Sequence, residues 1–232
     1  ELASMRELVR RRGIREPLQH ILGFVDFSGM RIACDERALI PRPETEELIE
    51  VLKAALAPNP PAYILDLGTG SGVLALALAK CFPKANILAI DASREALELA
   101  RENAMSNNLA GQIRFQRSNW FDDLVEGEGA FDLIVSNPPY LAQSEMADVS
   151  PELRLHEPEM ALTDGQDGLS VYRIIAAQAQ GYLTPTGRVL AEIGWQQGAD
   201  VKAIFEAAGW GRVRILPDLG GRDRVLWADT PA

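Results

Sequence analysis

The chain has 232 residues, 47% of them hydrophobic and 24% charged, a composition of folded globular proteins rather than disordered or fibrous ones. Lys and Arg number 23 against 33 Asp and Glu, a formal charge of −10 that argues against a broad phosphate-binding face, because non-specific nucleic-acid affinity comes from clustered basic side chains. The length suits one α/β domain with a small appendage better than two full domains.

Residues 1–15 carry Arg6, Arg10, Arg11, Arg12 and Arg15 and read as the tail of a helical segment stopped by Gly13 and Pro17, its basic face solvated. Phe24-Val25-Asp26-Phe27 and Met30-Arg31-Ile32 flank Ser28-Gly29 and predict a β-hairpin. Pro41 and Pro43 then introduce a helix in which Leu48, Ile49, Val51, Leu52 and Leu56 recur with a helical period. Pro58, Pro60 and Pro61 mark a linker, so residues 1–57 are expected to form a lead-in unit and residues 58–232 the main domain. The chain opens on Glu1 rather than Met and is read as truncated or trimmed.

From Tyr63 onward, short apolar runs at 64–65, 87–90, 113–115, 133–135 and 189–193 alternate with helical stretches at 73–80, 94–107, 169–180 and 201–208. This alternation predicts a mostly parallel sheet covered on both faces. Two last strands, at 213–216 and 224–227, are joined by a connection too short for a parallel crossover and should pair antiparallel. Cys34 and Cys81 belong to no CxxC pair or Cys/His cluster. They read as buried filler in a reducing cytosol, with neither a disulfide framework nor a metal expected. The longest apolar run, Val73 to Ala79, falls far short of the ~20 residues of a membrane helix, and no leader precedes it, so neither spanning nor export is expected.

Three segments carry chemistry. Gly68-Thr69-Gly70-Ser71-Gly72 follows the first buried strand and opens a helix, where glycines admit positive φ and close approach of a ligand to unpaired N–H groups. The spacing is neither GxGxxG nor a phosphate loop with its Lys. Asp91 ends the second strand, about 20 residues on, where nucleotide-binding α/β folds bind ribose hydroxyls; the plainer role, an N-cap for the next helix, stands beside it. Asn137-Pro138-Pro139-Tyr140 follows an apolar strand at the sheet's ligand-binding edge. Its prolines withdraw two N–H donors and leave a rim of acceptors suited to a planar NH2 group, with Asn137 adding a side-chain carbonyl and Tyr140 an aromatic face.

Together these segments resemble the class I S-adenosylmethionine-dependent methyltransferases that act on exocyclic or amide nitrogen. Ile21-Leu22-Gly23, Ile40-Pro41-Arg42-Pro43-Glu44-Thr45-Glu46, Glu157-Pro158-Glu159-Met160-Ala161-Leu162 and Asp167-Gly168-Leu169 narrow the resemblance to the HemK/PrmC family, the peptide chain release factor glutamine methyltransferases, over nearly the entire chain. The resemblance implies a mostly parallel seven-stranded sheet with a C-terminal antiparallel strand, preceded by a small helix and β-hairpin segment. It implies a cytoplasmic enzyme of translation termination that methylates a protein, moving the methyl of S-adenosylmethionine to the N5 amide nitrogen of the Gly-Gly-Gln glutamine in class 1 release factors and leaving S-adenosylhomocysteine, with no direct nucleic acid or membrane partner.

On the same resemblance, Gly68, Thr69, Gly70, Ser71 and Gly72 hold the methionine end of the cofactor, Asp91 its ribose, and Asn119 and Trp120 its adenine, with Asn137 bordering it. The Asn137 side-chain oxygen and the Pro138 carbonyl grip the two hydrogens of the substrate amide; Pro139 and Tyr140 wall its pocket, with Arg42, Thr45 and Glu157 as further candidates. Arg42 and Glu157 have an alternative as a salt bridge fixing the lead-in. Three features depart from the family: Asn119 stands where an Asp is usual, Thr163-Asp164-Gly165 replaces a more glycine-rich stretch, and only the last helix of a longer N-terminal helical domain is expected. An adenine-N6 nucleic-acid methyltransferase is the competing reading, since a flipped adenine also presents a planar amino group; the charge of −10 and the lack of a basic target-recognition segment count against it.

Overall fold

The computed structural model describes residues 2–125 and 130–231; Glu1, the first residue of the expected helical tail, lies outside them. Strands β1 (Phe24–Phe27) and β2 (Met30–Ala33) form the expected antiparallel hairpin. Seven more strands, β3 (Tyr63–Leu67), β4 (Asn86–Asp91), β5 (Ile113–Arg117), β6 (Phe131–Ser136), β7 (Leu183–Glu192), β8 (Arg212–Pro217) and β9 (Asp223–Asp229), make one sheet in the order β5-β4-β3-β6-β7-β9-β8. The first five run parallel, and β9 pairs antiparallel with both β7 and β8.

The helices are α1 (Leu2–Gly13), α2 (Leu18–Leu22), α3 (Pro43–Leu56), α4 (Val73–Cys81), α5 (Arg94–Ser106), α6 (Pro151–His156), α7 (Ser170–Gln178) and α8 (Gly198–Ala207). The short α2 and α6 have too few residues to show a period, which is why the pattern alone does not reveal them. Basic residues at the end of α1 and just beyond it form ion pairs, Arg10 with Glu7, Arg11 with Glu16, and Arg12 and Arg15 with Glu152 on α6.

Parallel strands are buried on both faces and therefore read as apolar runs, with neighbours feeding opposite layers. Ile64 of β3 joins the layer beneath α3, α4 and the hairpin, whereas Leu65 and Leu67 join the layer beneath α7 and α8. Helix α4 is apolar all round because it is covered all round: Val73 through Ala79 are each buried. Cys34 is buried, its thiol pushed up to about 12 by desolvation, but Cys81, at the outer end of α4, is only half-buried.

The lead-in shares the core of the sheet. Phe27, Met30 and Ile32 of the hairpin and Leu48, Ile49, Leu52 and Leu56 of α3 pack in one cluster with Ile64, Leu76 and Leu133. The buried amide of Asn103 on α5 ties the hairpin's exit to the glycine loop, accepting from the Ala33 N–H at 2.7 Å and donating to the Ser71 carbonyl at 2.9 Å. The chain winds outward from β3 to β5 and returns on the other side of β3 as β6. In open α/β sheets, ligands bind at the carboxyl ends of the strands where this reversal occurs.

Leu76 is fully buried at the centre of this packing. Leu76→Ala should lower unfolding free energy by about 2–5 kcal/mol, seen as a lower denaturant midpoint at unchanged slope; a wild-type midpoint would contradict the placement of α4.

Candidate active site

The carboxyl end of β3 runs into the glycine loop, which is held open by backbone geometry. Gly68 and Gly72 have φ of +71° and +85°. A Cβ on Gly72 would lie 3.1 Å from Cβ of Ala100 on α5, and one on Gly68 would lie 3.5 Å from the Trp120 ring. Gly68 is called for by its positive φ, since a Cβ there would make only ordinary contact with the ring, whereas Gly72 also lets α4 start against α5. Under the loop, fully buried Asp66 accepts from the Thr69 hydroxyl at 2.6 Å and from the Ala75 N–H at 3.1 Å through one oxygen. Its other oxygen is buried without a partner, and desolvation pushes its pKa up to about 7.

Asp91, at the end of β4, accepts from the Gly70 N–H and the Ser93 N–H, both at 2.9 Å. Ser93, not Asp91, caps α5, its hydroxyl oxygen accepting from the Ala96 N–H at 3.1 Å. Each Asp91 oxygen therefore keeps lone-pair capacity toward the cavity, while desolvation raises its pKa. Beyond β5, the Ser118 hydroxyl donates to the Trp120 carbonyl at 2.8 Å and holds that residue at a φ of +52°. The Asn119 amide donates to Asp122 at 2.8 Å, which turns its carbonyl oxygen the other way and makes the side chain an acceptor.

At the end of β6 the Asn137 Nδ2–H donates to the Thr45 hydroxyl oxygen at 3.1 Å, and that hydroxyl donates to Glu192 Oε2 at 2.7 Å. Pro138 is buried, and Pro139 and Tyr140 are half-buried. The Tyr140 carbonyl accepts from Gln197 Nε2 at 2.8 Å, its ring packs on the α7–α8 side of the core, and burial raises its phenol.

A single cavity of about 450 Å3, in the range of small-molecule sites, brings together Gly68, Thr69, Gly70, Ser71, Asp91, Asn119, Trp120, Asn137, Pro139, Arg42 and Thr45. Gly72, Pro138, Tyr140 and Glu157 are not in its wall. Buried Glu157 accepts from the Ile40 N–H at 3.0 Å and ion-pairs with Arg42, so both its oxygens fasten the lead-in, and Arg42 reaches the cavity already neutralised. Among the described residues no group of three His, Cys, Asp or Glu side chains could hold a metal ion.

Besides residues of α4, α5 and α7, two stretches of wall carry no role in the sequence reading. One is the lead-in turn with Arg37, Ala38 and Pro41; the other runs from Pro158 to Gln166. Asp164 knots the second by accepting from the Gln166, Gly168 and Ser170 N–H groups and from the Ser170 hydroxyl. Glu192 is the other residue missed; its one signal is a lone acid inside the apolar run 189–193.

Residues 44–185 match the family model of the methyltransferase small domain. The release factor glutamine methyltransferase of Cereibacter sphaeroides is 48% identical over 95% of this chain and 77% of its own. That of Agrobacterium fabrum is 43% identical over 97% and 78%, and that of Streptococcus pneumoniae 43% over 99% and 80%. Among solved structures, the hMettl16 catalytic domain in complex with an RNA hairpin superposes with a TM-score of 0.71 at 19% identity, over 93% of this chain and 81% of that one. A Pyrococcus furiosus methyltransferase does so with 0.63 at 21%, over 88% and 90%. At those identities the structural likeness establishes the fold, a class I methyltransferase fold.

The raised pKa of Asp66 has a definite sign. Its burial favours the neutral form, so the stability it contributes is fully present below the ordinary carboxylate range, about 4, and is lost as pH rises toward about 7. Asp66→Asn should therefore lose less stability than the wild type between about pH 5 and pH 7.5 in chemical denaturation; parallel losses would place an ionised carboxylate there instead.

Proposed function

The chain belongs to the release factor glutamine methyltransferase family, and from that premise we propose that it transfers a methyl group from S-adenosylmethionine to the side-chain amide nitrogen of the Gly-Gly-Gln glutamine in class 1 peptide chain release factors. The observation that carries this reading is the sharing of one cavity by the glycine loop, Asp91 and Asn137, with the Asn137 NH2 already committed to Thr45.

The residues present suit the cofactor. Trp120 lines the cavity with an aromatic surface, the Asn119 carbonyl is an acceptor for an exocyclic amino group, and Asp91 has acceptor capacity for ribose hydroxyls. The backbone of 68–72 is the candidate support for the methionine end. When bound, S-adenosylmethionine supplies a methyl group made electrophilic by its sulfonium.

A glutamine amide is a poor nucleophile because its nitrogen lone pair is delocalised into the carbonyl. Asn137 Oδ1, an acceptor on the cavity wall, would take one of its hydrogens and hold the nitrogen in place, with Pro139 limiting its sideways motion, while Pro138 and Tyr140, outside that wall, would support the segment. Catalysis of this kind rests on orientation and preorganised dipoles rather than on a base. The proton displaced from the substituted nitrogen goes to solvent. The substrate is a protein met in the cytoplasm, with no direct nucleic acid or membrane partner, a reading supported by the charge of −10. Among the described residues no helix is long and apolar enough to cross a membrane. The adenine-N6 alternative is not favoured, since the relatives at 43–48% identity are named for a glutamine.

Mass spectrometry of a release factor incubated with the protein and S-adenosylmethionine should find one added methyl on the Gly-Gly-Gln glutamine, with or without chelator; methylation elsewhere, or none, would refute the assignment. Asn137→Ala should cut single-turnover transfer by roughly 100-fold or more while cofactor affinity stays nearly unchanged. Asp91→Ala should instead weaken cofactor binding by about 1.5–3 kcal/mol in calorimetry.

A further inference from the structure

We infer that Thr45 and Glu192 are positioning residues that fix which edge of the Asn137 amide faces the substrate. The inference rests on the methyltransferase reading for its consequence but on hydrogen-bond bookkeeping for its content. A hydroxyl has one proton to give. The Thr45 hydroxyl lies 2.7 Å from Glu192 Oε2, and an ionised carboxylate only accepts, so the Thr45 proton belongs to that bond. The Thr45 oxygen is left with lone pairs alone and can bind only the NH2 edge of Asn137, 3.1 Å away. The carbonyl edge then faces the other way, and Asn137 lines the cavity.

Nothing within an asparagine favours one flip over the other, because the two ends of its amide are nearly isosteric. With the opposite flip an NH2 group would confront the substrate's own NH2, donor against donor. The Thr45–Glu192 pair removes that state. Both residues are 2% exposed, so the bond is shielded from bulk solvent. Backbone anchoring holds the carboxylate in place: Glu192 ends β7, and the Tyr172 hydroxyl donates to its main-chain carbonyl at 2.8 Å.

Protonating Glu192 would reverse the sense of the chain. A carboxyl O–H can donate to Thr45, which frees the Thr45 proton for the Asn137 oxygen and permits the unproductive flip. Burial pushes Glu192 up to about 7; the Thr45 bond and the charges of Arg224 on β9 and Arg42 oppose that rise, while Glu44 reinforces it. The phenols of Tyr140 and Tyr172 also face Glu192, and both titrate above their ordinary range. Burial thus brings the Glu192 carboxyl toward neutrality while it drives the two phenols away from it, and transfer should weaken as pH falls through about 7.

The test uses the whole protein with a release factor substrate, and solution NMR of the Asn137 side-chain amide in the protein alone. Thr45→Val, which keeps the shape and removes the hydroxyl, should lower kcat by about tenfold or more with the substrate KM and cofactor affinity little changed, and Thr45→Ser should restore most of it. Glu192→Gln should remove the acid limb of the kcat profile, whereas Asp66→Asn, which removes the other carboxyl pushed up to about 7, should leave that limb in place. In NMR, identified by its loss in Asn137→Asp, the wild-type NH2 should show one slowly exchanging proton above pH 7 that disappears in Thr45→Val. Wild-type kcat in Thr45→Val, no rescue by Ser, or an unchanged acid limb in Glu192→Gln would overturn the inference. A wild-type protein that methylates nothing would refute the functional reading, and the NMR exchange pattern would still decide the positioning. Thr45→Val with wild-type amide exchange would overturn it on its own.

Discussion

Strands β3 and β6 end side by side, in register from Ile64 opposite Leu133 to Leu67 opposite Ser136, and the Ser136 hydroxyl closes the pair by donating to the Leu67 carbonyl at 2.8 Å. The glycine loop begins at the residue after Leu67 and the Asn-Pro-Pro-Tyr segment at the residue after Ser136. One strand pairing thus sets the distance between the two halves of the site. A slip of one residue would turn the side chains of β6 to the opposite face and carry Asn137 away from the cavity. The sheet reversal at β3 makes the adjacency possible, because only there do neighbouring strands send their connections to opposite sides.

Around that junction the protein buries carboxyl groups that a core built for stability alone would avoid. Asp66, Asp91 and Glu192 are all driven upward by desolvation, and each is held by hydrogen bonds rather than by a full ion pair. Buried polar groups that are satisfied impose a unique arrangement. Here they set the glycine loop, the end of β4 and the Asn137 amide in fixed relation, and the unpartnered oxygen of Asp66 marks where that arrangement is least satisfied. Stability spent at such places is a common feature of functional sites.

The lead-in completes the site rather than decorating it. Helix α3 supplies Thr45 beneath Asn137, and the preceding turn contributes Arg37, Ala38 and Pro41 to the cavity wall. Three long-range contacts hold this segment: Asn103 at the hairpin exit, Glu157 on the Ile40 N–H, and the Arg37 guanidinium bridging Asp35 and Glu102 at 2.8 and 2.7 Å. The last is a partly exposed network worth little singly. The two buried amide and carboxylate anchors matter more, since removing either strands a polar group away from water.

The sequence by itself determined the sheet, its helices and the antiparallel closing pair, because apolar period and connection length are local properties that strand burial obeys. It also singled out the glycine loop, Asp91 and Asn137, whose chemistry is written in consecutive residues at strand ends. Tertiary structure alone decided the rest. Thr45 and Glu192 lie 147 residues apart in the chain and become partners only when α3 packs over the end of β7. Glu157 resembled a cavity residue until the fold gave both its oxygens to the lead-in. Ser93 rather than Asp91 capped α5, leaving the acid for the cavity. The wall from Pro158 to Gln166 has no chemical signature, since what makes it a wall is position. Residue type fixes what a side chain can donate or accept; which partner consumes that capacity is a long-range choice made by packing, and no local pattern encodes it.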